Sequence, residues 1–185
     1  IFGATSLLLN RKYKTYIAVV LLAAQIHGSA ILMLPLAYVM VGPALNRKTL
    51  LMIVAVAAVM PFVDKLMPIA NDMLADTQYS TTMTDEIWSV DDGTNPIRVL
   101  VYSVPALVAL FGRKYILREN DPVMNLCVNG SMITMALYLV SMVTSGIYVG
   151  RLPIYTTFYG YMSLPWIIDT VFERESARFI KFMMI

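Results

Sequence analysis

The chain has 185 residues, of which 58% are hydrophobic and only 14% are charged, and its mean hydropathy is +0.68. Soluble domains carry about 25% charged residues, so the composition excludes an ordinary water-soluble domain and indicates an integral membrane protein. The near balance of 14 Lys+Arg against 12 Asp+Glu disfavours a nucleic-acid-binding protein. A single cysteine, Cys127, excludes a disulfide scaffold and a cysteine-based zinc site.

Both ends of the chain look like interior segments of a larger protein. The chain begins with Ile1, and the cations Arg11, Lys12 and Lys14 follow the first apolar residues instead of preceding them, which is not the order of a signal peptide. A further apolar run begins at Phe179. We therefore expect residues 1–185 to be a single transmembrane domain within a longer chain.

The first long apolar stretch, residues 16–41, is interrupted by polar and small residues around His27. Basic residues lie on both sides of it, so a single crossing would place one basic cluster outside the cell, against the usual cytoplasmic position of Lys and Arg. Residues 16–26 span only about 16 Å as a helix, which is half of a bilayer. We favour a re-entrant helical hairpin with residues 27–29 at its tip over one kinked span.

Four further apolar stretches follow, at residues 50–69, 97–112, 123–149 and 153–172. A bilayer core requires about 20 apolar residues in a helix, and each stretch meets or approaches that length. They predict an all-α fold, a polytopic transmembrane helical bundle with a re-entrant or broken helix near His27. Basic residues near residues 48, 113 and 174 predict cytoplasmic turns at those positions, so the intervening turns face outward.

The segment of residues 71–95 is an acidic loop that we expect on the outer side. It contains six carboxylates and neither Lys nor Arg, and it also carries Trp88. Sugars stack on aromatic rings and donate hydrogen bonds to carboxylates, so the loop is compatible with sugar binding. A solvated loop in which Trp88 anchors the chain at the membrane interface is the alternative.

Polar side chains within or beside the predicted spans are the candidate functional residues, because burying them in a membrane is costly. His27 is the sole histidine, and it suits a general base or a hydrogen-bond donor to a ligand. The alternative is a helix-packing histidine whose ring is satisfied by a backbone carbonyl.

Arg98 and Arg151 are the arginines predicted on the outer side. Arginine binds phosphate through paired hydrogen bonds and keeps its charge at a low-dielectric boundary, so two of them suit a diphosphate. Snorkelling, or pairing with Asp91 or Asp92, is the alternative. Tyr155 would share a helical face with Arg151 if an α-helix began near Gly150, although an aromatic belt also explains a tyrosine at this depth.

The sequence lacks the motifs of several enzyme classes. It has no Walker A loop, no GxGxxG after a strand, no HExxH and no DxD. An ATPase, a dinucleotide enzyme or a metal-dependent nucleotide-sugar transferase therefore lacks support, and we expect neither a metal nor a cofactor.

Two segments resemble motifs of the EpsG family of bacterial exopolysaccharide proteins. After the basic residues at 11–14, residues 23–30 read Ala-Ala-Gln-Ile-His-Gly-Ser-Ala, which is similar to the family's A-x-x-[aromatic or apolar]-H-x-[Ser/Thr]-Ala segment. Residues 150–155, Gly-Arg-Leu-Pro-Ile-Tyr, resemble its late R-x-x-x-Y-F segment, with Thr156 in place of the usual Phe. Residues 95–105 fit the intervening region, so the matches follow the family's order and correspond to its C-terminal half.

This resemblance implies a function, because the family is similar to Wzy-type polymerases of the bacterial cytoplasmic membrane. Those multi-pass proteins join undecaprenyl-diphosphate-linked oligosaccharide repeat units. By this resemblance, Arg98 and Arg151 would hold the departing diphosphate, Tyr155 would be a supporting donor, and His27 would be the base or orient the substrate. The acidic loop with Trp88 would contact sugar hydroxyls.

The partners implied are the lipid-linked oligosaccharide, the bilayer and other polysaccharide assembly proteins. Two other functions fit the same residues. One is a flippase or transporter of the same lipid-linked sugars, and the other is a non-catalytic scaffold of a polysaccharide assembly complex.

Overall fold

A computed structural model describes residues 2–62, 65, 93–144 and 149–184, and every regular element in these ranges is helical. The α-helices are α1 (Thr5–Leu9), α2 (Tyr13–Ile26), α3 (Met33–Met40), α4 (Arg47–Val59), α5 (Pro96–Phe111), α6 (Arg113–Glu119), α7 (Pro122–Met142), α8 (Thr157–Val171) and α9 (Arg174–Met183). Short 3₁₀ segments cover Phe2–Ala4, Gly28–Leu32, Met60–Phe62 and Val149–Tyr155. The all-α prediction is confirmed.

The helix α7 is the centre of the fold. It begins where the side chain of Asp121 accepts a hydrogen bond from the backbone N–H of Met124 at 2.8 Å, as an N-cap residue does. It packs against α5 and α8, against the Val149–Tyr155 segment, and against α3 and α4. Because neighbours surround it, its buried residues fall on all sides of the helix.

The number of membrane spans follows only partly from the helices. In the described ranges, α7 is the helix that is long and apolar enough to cross a membrane by itself. The pair α5 and α6 passes the same test only when it is taken as one span bent by 74°. Length and composition thus support one or two spans, and the polytopic bundle stays a prediction.

The helices α5, α7 and α8 approach one another closely because glycines lie at their crossings. A Cβ atom added to Gly130 of α7 would lie 2.8 Å from the Cβ of Tyr159, and one added to Gly160 of α8 would lie 3.3 Å from the Cγ of Pro105. Small residues allow membrane helices to pack in this way. The three helices form a close-packed core.

The chain breaks at His27, as predicted, and then turns back. His27 has φ −141° and ψ 98°, which ends α2, and a 3₁₀ turn leads into α3. Tyr13 at the start of α2 and Val41 just after α3 line the same two cavities, so these two ends lie side by side. The helices therefore form the hairpin that we favoured over one kinked span, and its re-entry into a membrane stays a prediction.

Three predicted spans differ from the helices observed. In the stretch predicted at 123–149, α7 ends at Met142, and in the stretch predicted at 153–172 the α-helix begins only at Thr157. Between them the Val149–Tyr155 segment is a 3₁₀ helix that contains Pro153. In the stretch predicted at 50–69, α4 ends at Val59.

The stretch predicted at 97–112 agrees with α5. Its start follows from local chemistry, since the side chain of Asn95 accepts a hydrogen bond from the N–H of Ile97 at 2.8 Å and Pro96 occupies the first helical position. Most of the acidic loop at 71–95, including Trp88, lies outside the described residues.

One end of the helical core is basic, and we call it the basic end. Arg11 lines a cavity with Pro122 at the start of α7, and the Lys48 ammonium donates hydrogen bonds to the carbonyls of Tyr38 and Val41, at 2.9 Å in the second case. Elements that begin or end there carry eleven of the 14 Lys and Arg residues: Arg11, Lys12, Lys14, Arg47, Lys48, Arg113, Lys114, Arg118, Arg174, Arg178 and Lys181. The charges predicted for one side thus lie at one end of the core, and the assignment of that end to the cytoplasmic side stays a prediction.

Candidate functional site

Arg98 and Arg151 line one pocket at the end of α7 that lies opposite the basic end. Its volume is about 280 Å³, and its other lining residues are Tyr102, Tyr138, Gly150, Ile154 and Thr157. Arg98 comes from the first turn of α5 and Arg151 from the 3₁₀ segment, and both side chains are exposed. We call this the arginine pocket; it brings together the two cations that were predicted on the same side.

Hydrogen bonds to α7 fix the position of Arg98. The Ser141 hydroxyl donates to the Thr94 hydroxyl at 2.9 Å, and the backbone N–H of Thr94 donates to the Ser141 carbonyl at 3.0 Å. Both residues are buried. The end of α7 therefore holds the residues that lead into α5, and with them the first turn that carries Arg98.

The Arg98 guanidinium lies against a cluster of three tyrosine rings. Its guanidinium carbon lies 5.8 Å from the centroid of the Tyr102 ring, a cation–π distance. The rings of Tyr102 and Tyr138 stack at 4.9 Å, and Tyr161 lies 6.3 Å from Tyr102. We did not predict this cluster, although Tyr102 follows Arg98 by four residues and so shares its helical face.

Within the described ranges, no carboxylate pairs with either arginine of the pocket. The ion pair that the described residues do form joins Lys181 and Asp169 at 2.6 Å, and it lies near the basic end, away from the arginine pocket. Asp91 and Asp92, the alternative partners, lie outside the described residues. Two guanidinium groups in one pocket repel each other, so the pocket favours an anion with two negative groups over a neutral ligand.

His27 and Tyr155 line a second cavity, which we call the apolar groove. Its volume is about 430 Å³, and its remaining lining residues are Phe2, Ala23, Ile26, Ala30, Ile154 and Phe158. The rings of His27 and Tyr155 lie 6.4 Å apart, and the Tyr155 hydroxyl is 2.8 Å from the Ser29 hydroxyl, within hydrogen-bond distance. The hairpin tip is thereby joined to the segment that carries Arg151.

The two cavities adjoin at Ile154, which lines both of them. Arg151 and Tyr155 do not share a face, because the segment is a 3₁₀ helix and not an α-helix. With about three residues per turn, the face of Arg151 recurs at Ile154, and Tyr155 is rotated by about 120° towards the hairpin tip. The α-helical spacing expected for this pair was therefore wrong.

Thr156 anchors the 3₁₀ segment to α7. Its hydroxyl accepts a hydrogen bond from the Thr134 hydroxyl at 2.9 Å, and both side chains are buried. This is the position at which the chain departs from the resembled motif. The partner that explains the threonine is 22 residues away in sequence and carries no local signal.

Two predictions remain, one about Trp88 and one about a metal site. Trp88 lies outside the described residues. In the described part of the chain, no three His, Cys, Asp or Glu side chains lie close enough together to hold a metal ion.

Comparison with known proteins adds a family match. The sequence model described as the EpsG family matches residues 1–185. No curated protein and no solved structure matches the chain. The match includes the hairpin around His27 and the segment that carries Arg151.

Proposed function

Because the chain belongs to the EpsG family, we propose that it is a membrane glycosyltransferase that joins undecaprenyl-diphosphate-linked oligosaccharide repeat units in exopolysaccharide synthesis. Membership of the family makes it an exopolysaccharide-related, membrane-associated protein, and α7 is a candidate membrane helix. The observation that carries the finer proposal is the arginine pocket beside the apolar groove. A lipid diphosphate has the same division into an anionic head and an apolar chain.

The arginine pocket supports the binding of the leaving diphosphate. Transfer breaks the bond between the anomeric carbon of the donor sugar and a diphosphate oxygen, and the electron pair leaves with undecaprenyl diphosphate. Arg98 and Arg151 stabilise the negative charge that develops on this oxygen through charge-assisted hydrogen bonds.

The apolar groove supports the binding of the lipid chain next to the diphosphate. The large apolar side chains that line it include Phe2, Ile26, Phe158 and Ile154, and Ile154 also lines the arginine pocket. The first isoprene units would contact these side chains while the diphosphate contacts the arginines. The bound lipid diphosphate would pass from the arginine pocket into the apolar groove beside Ile154.

His27 supports activation of the acceptor. We assign it the removal of the proton from the acceptor hydroxyl as that oxygen attacks the anomeric carbon. It lies at the hairpin tip and is exposed to the groove. Tyr155 faces His27 and Ser29, so it acts as a positioning residue for the tip. Trp88 and the acidic loop keep their proposed contact with sugar hydroxyls.

The test of the proposal is chain elongation by the purified full-length protein in detergent. Supplied with a synthetic undecaprenyl-diphosphate-linked repeat unit and no ATP, it will form a ladder of longer products and release undecaprenyl diphosphate. If it forms no ladder in detergent but moves the lipid across vesicles, it is a transporter and the proposal fails. If it does neither, it is a scaffold, and the proposal fails as well.

Replacing Tyr155 by Phe will lower the elongation rate about two- to tenfold, the effect of one hydrogen bond. The ring stays in the apolar groove, and the bond to Ser29 is lost. Replacing Ser29 by Ala will have the same effect, and the double variant will be no slower than either single variant, because both remove the same bond.

The control for this pair is Tyr115→Phe, which removes a hydroxyl from an exposed tyrosine of α6 and leaves the rate unchanged. If the rate of the double variant falls by the product of the two single effects, the two hydroxyls do not act through each other. Elongation rates of the four variants measure both outcomes.

A further inference from the structure

The helix α9 has two faces of opposite character. Ala177 is buried and Ile180 is half-buried, and both pack with Leu164 and Ile168 of α8. Beside them, three large apolar side chains point away from the protein: Phe179, Phe182 and Met183, which are 66%, 75% and 69% exposed. The three largest exposed apolar side chains of α9 thus lie outside the described core.

The other face of α9 is basic. Arg174, Arg178 and Lys181 recur at intervals of four and three residues, which places them on one stripe of the helix. Lys181 pairs with Asp169. In the described part of the chain, no ion pair involves Arg174 or Arg178, and Glu175 is the only acid of the helix. The stripe therefore carries excess positive charge directly beside the apolar face.

We propose that α9 is an interfacial helix that binds anionic phospholipid. Phe179 and Met183, four residues apart on one face, insert among the acyl chains, and Arg174 and Arg178 bind the phosphates of the head groups. Phe182, four residues after Arg178, lies at the boundary between the two layers. A helix with an apolar face beside a basic one is typical of this position. The apolar side chains of α9 lie next to its basic stripe. This arrangement complements a bilayer surface, in which phosphates lie above acyl chains.

The position of α9 indicates that its exposed apolar side chains contact a bilayer and not a protein partner. The helix begins at the basic end, where α6 also turns by 74° from the axis of α5 and exposes apolar Tyr115 and Leu117 beside its own cations. Two helices at one end thus expose apolar side chains next to basic ones. Anionic lipids attract basic segments of this kind at the cytoplasmic surface. This inference is independent of the catalytic proposal, since it concerns the opposite end of α7.

The depth of α9 is testable with spin labels on opposite faces of the helix. The full-length protein with Cys127→Ser is labelled at either Met183→Cys or Arg174→Cys, which lie nine residues apart and therefore on opposite sides of the helix, and is reconstituted in nanodiscs of mixed phosphatidylglycerol and phosphatidylcholine. The label at 183 will be relaxed mainly by membrane-soluble oxygen, and the label at 174 mainly by a water-soluble nickel complex. Equal exposure of both labels to nickel would overturn the proposal, as would protection of both labels from both agents, which indicates a protein cover.

The requirement for anionic lipid is testable by hydrogen exchange of the α9 backbone in the same nanodiscs. Exchange will be about tenfold slower with phosphatidylglycerol present than with phosphatidylcholine alone. The double variant Arg174→Gln/Arg178→Gln will lose this difference, whereas Lys12→Gln/Lys14→Gln, an equal change of charge at the same end, will keep it. Exchange that does not depend on phosphatidylglycerol in the unaltered protein would overturn the proposed lipid contact.

Discussion

Replacing Arg151 by Lys will reduce the elongation rate of the full-length protein by about 100-fold, the usual cost of removing one preorganised donor to a developing oxyanion. Lysine keeps the charge but loses the paired, planar donors that match two phosphate oxygens. The side chain is exposed and has no ion-pair partner among the described residues, so the loss will fall on the reaction and not on folding. Elongation of a synthetic lipid-linked repeat unit measures it.

Two comparisons sharpen this result. Arg98→Lys will also reduce the rate, and the double variant will lose less than the product of the two single effects, because both arginines contact one diphosphate. Arg113→Lys, the same change at the basic end, will leave the rate unaltered. Polymer of normal length from the Arg151→Lys protein would remove both arginines from the proposed mechanism.

Replacing Asn129 by Leu will destabilise the folded protein by about 3 kcal/mol or more. Asn129 is fully buried in α7 and holds the loop that follows the hairpin. Its side-chain oxygen accepts a hydrogen bond from the N–H of Leu45 at 2.8 Å, and its amide donates to the carbonyls of Met40 and Pro43, both at 2.9 Å. Leucine leaves these backbone groups without partners in a buried place.

The loop depends on this side chain because its backbone is unusual. Leu45 has φ +53° and Gly42 has φ +134°, so the loop is not a conformation that the chain adopts by itself. The matched control is Asn125→Leu, one helical turn away in α7. Asn125 donates one hydrogen bond, to Asn120 at 2.9 Å, and its own oxygen lacks a partner in the described part of the chain. Its replacement will cost less than about 1 kcal/mol.

Unfolding of the purified protein in detergent, by heat or by titration with a denaturing detergent, measures both variants. A loss of stability no larger for Asn129→Leu than for Asn125→Leu would mean that the loop keeps its conformation without the side chain.

The hairpin was predictable from sequence because charge constrains it. Basic residues on both sides of residues 16–41, and small polar residues at His27, together disfavour a single crossing, and the structure shows the chain turning back there. The joint position of Arg98 and Arg151 was predictable for the same reason, since both follow turns assigned to one side. These inferences use the sign of charges and the length of apolar runs, which are properties of the sequence itself.

Other features depend on the local backbone or on distant partners. The position of Tyr155 relative to Arg151 required the 3₁₀ geometry around Pro153, which helical spacing alone does not reveal. The buried pair of Thr134 and Thr156 joins positions with no signal of their own. Lys181 interrupts the apolar run that begins at Phe179, and this interruption gives α9 its two faces.

The 3₁₀ segment Val149–Tyr155 presents a different side chain to each of three neighbours. Arg151 and Ile154 face the arginine pocket, Tyr155 faces the hairpin tip, and Pro153 is buried. Inserting or deleting a single amino acid would turn every later residue by about a third of a revolution, so each would meet the wrong neighbour. The length of this stretch is thus constrained more tightly than its composition, and natural variants should differ there by exchange of side chains rather than by gain or loss of a position.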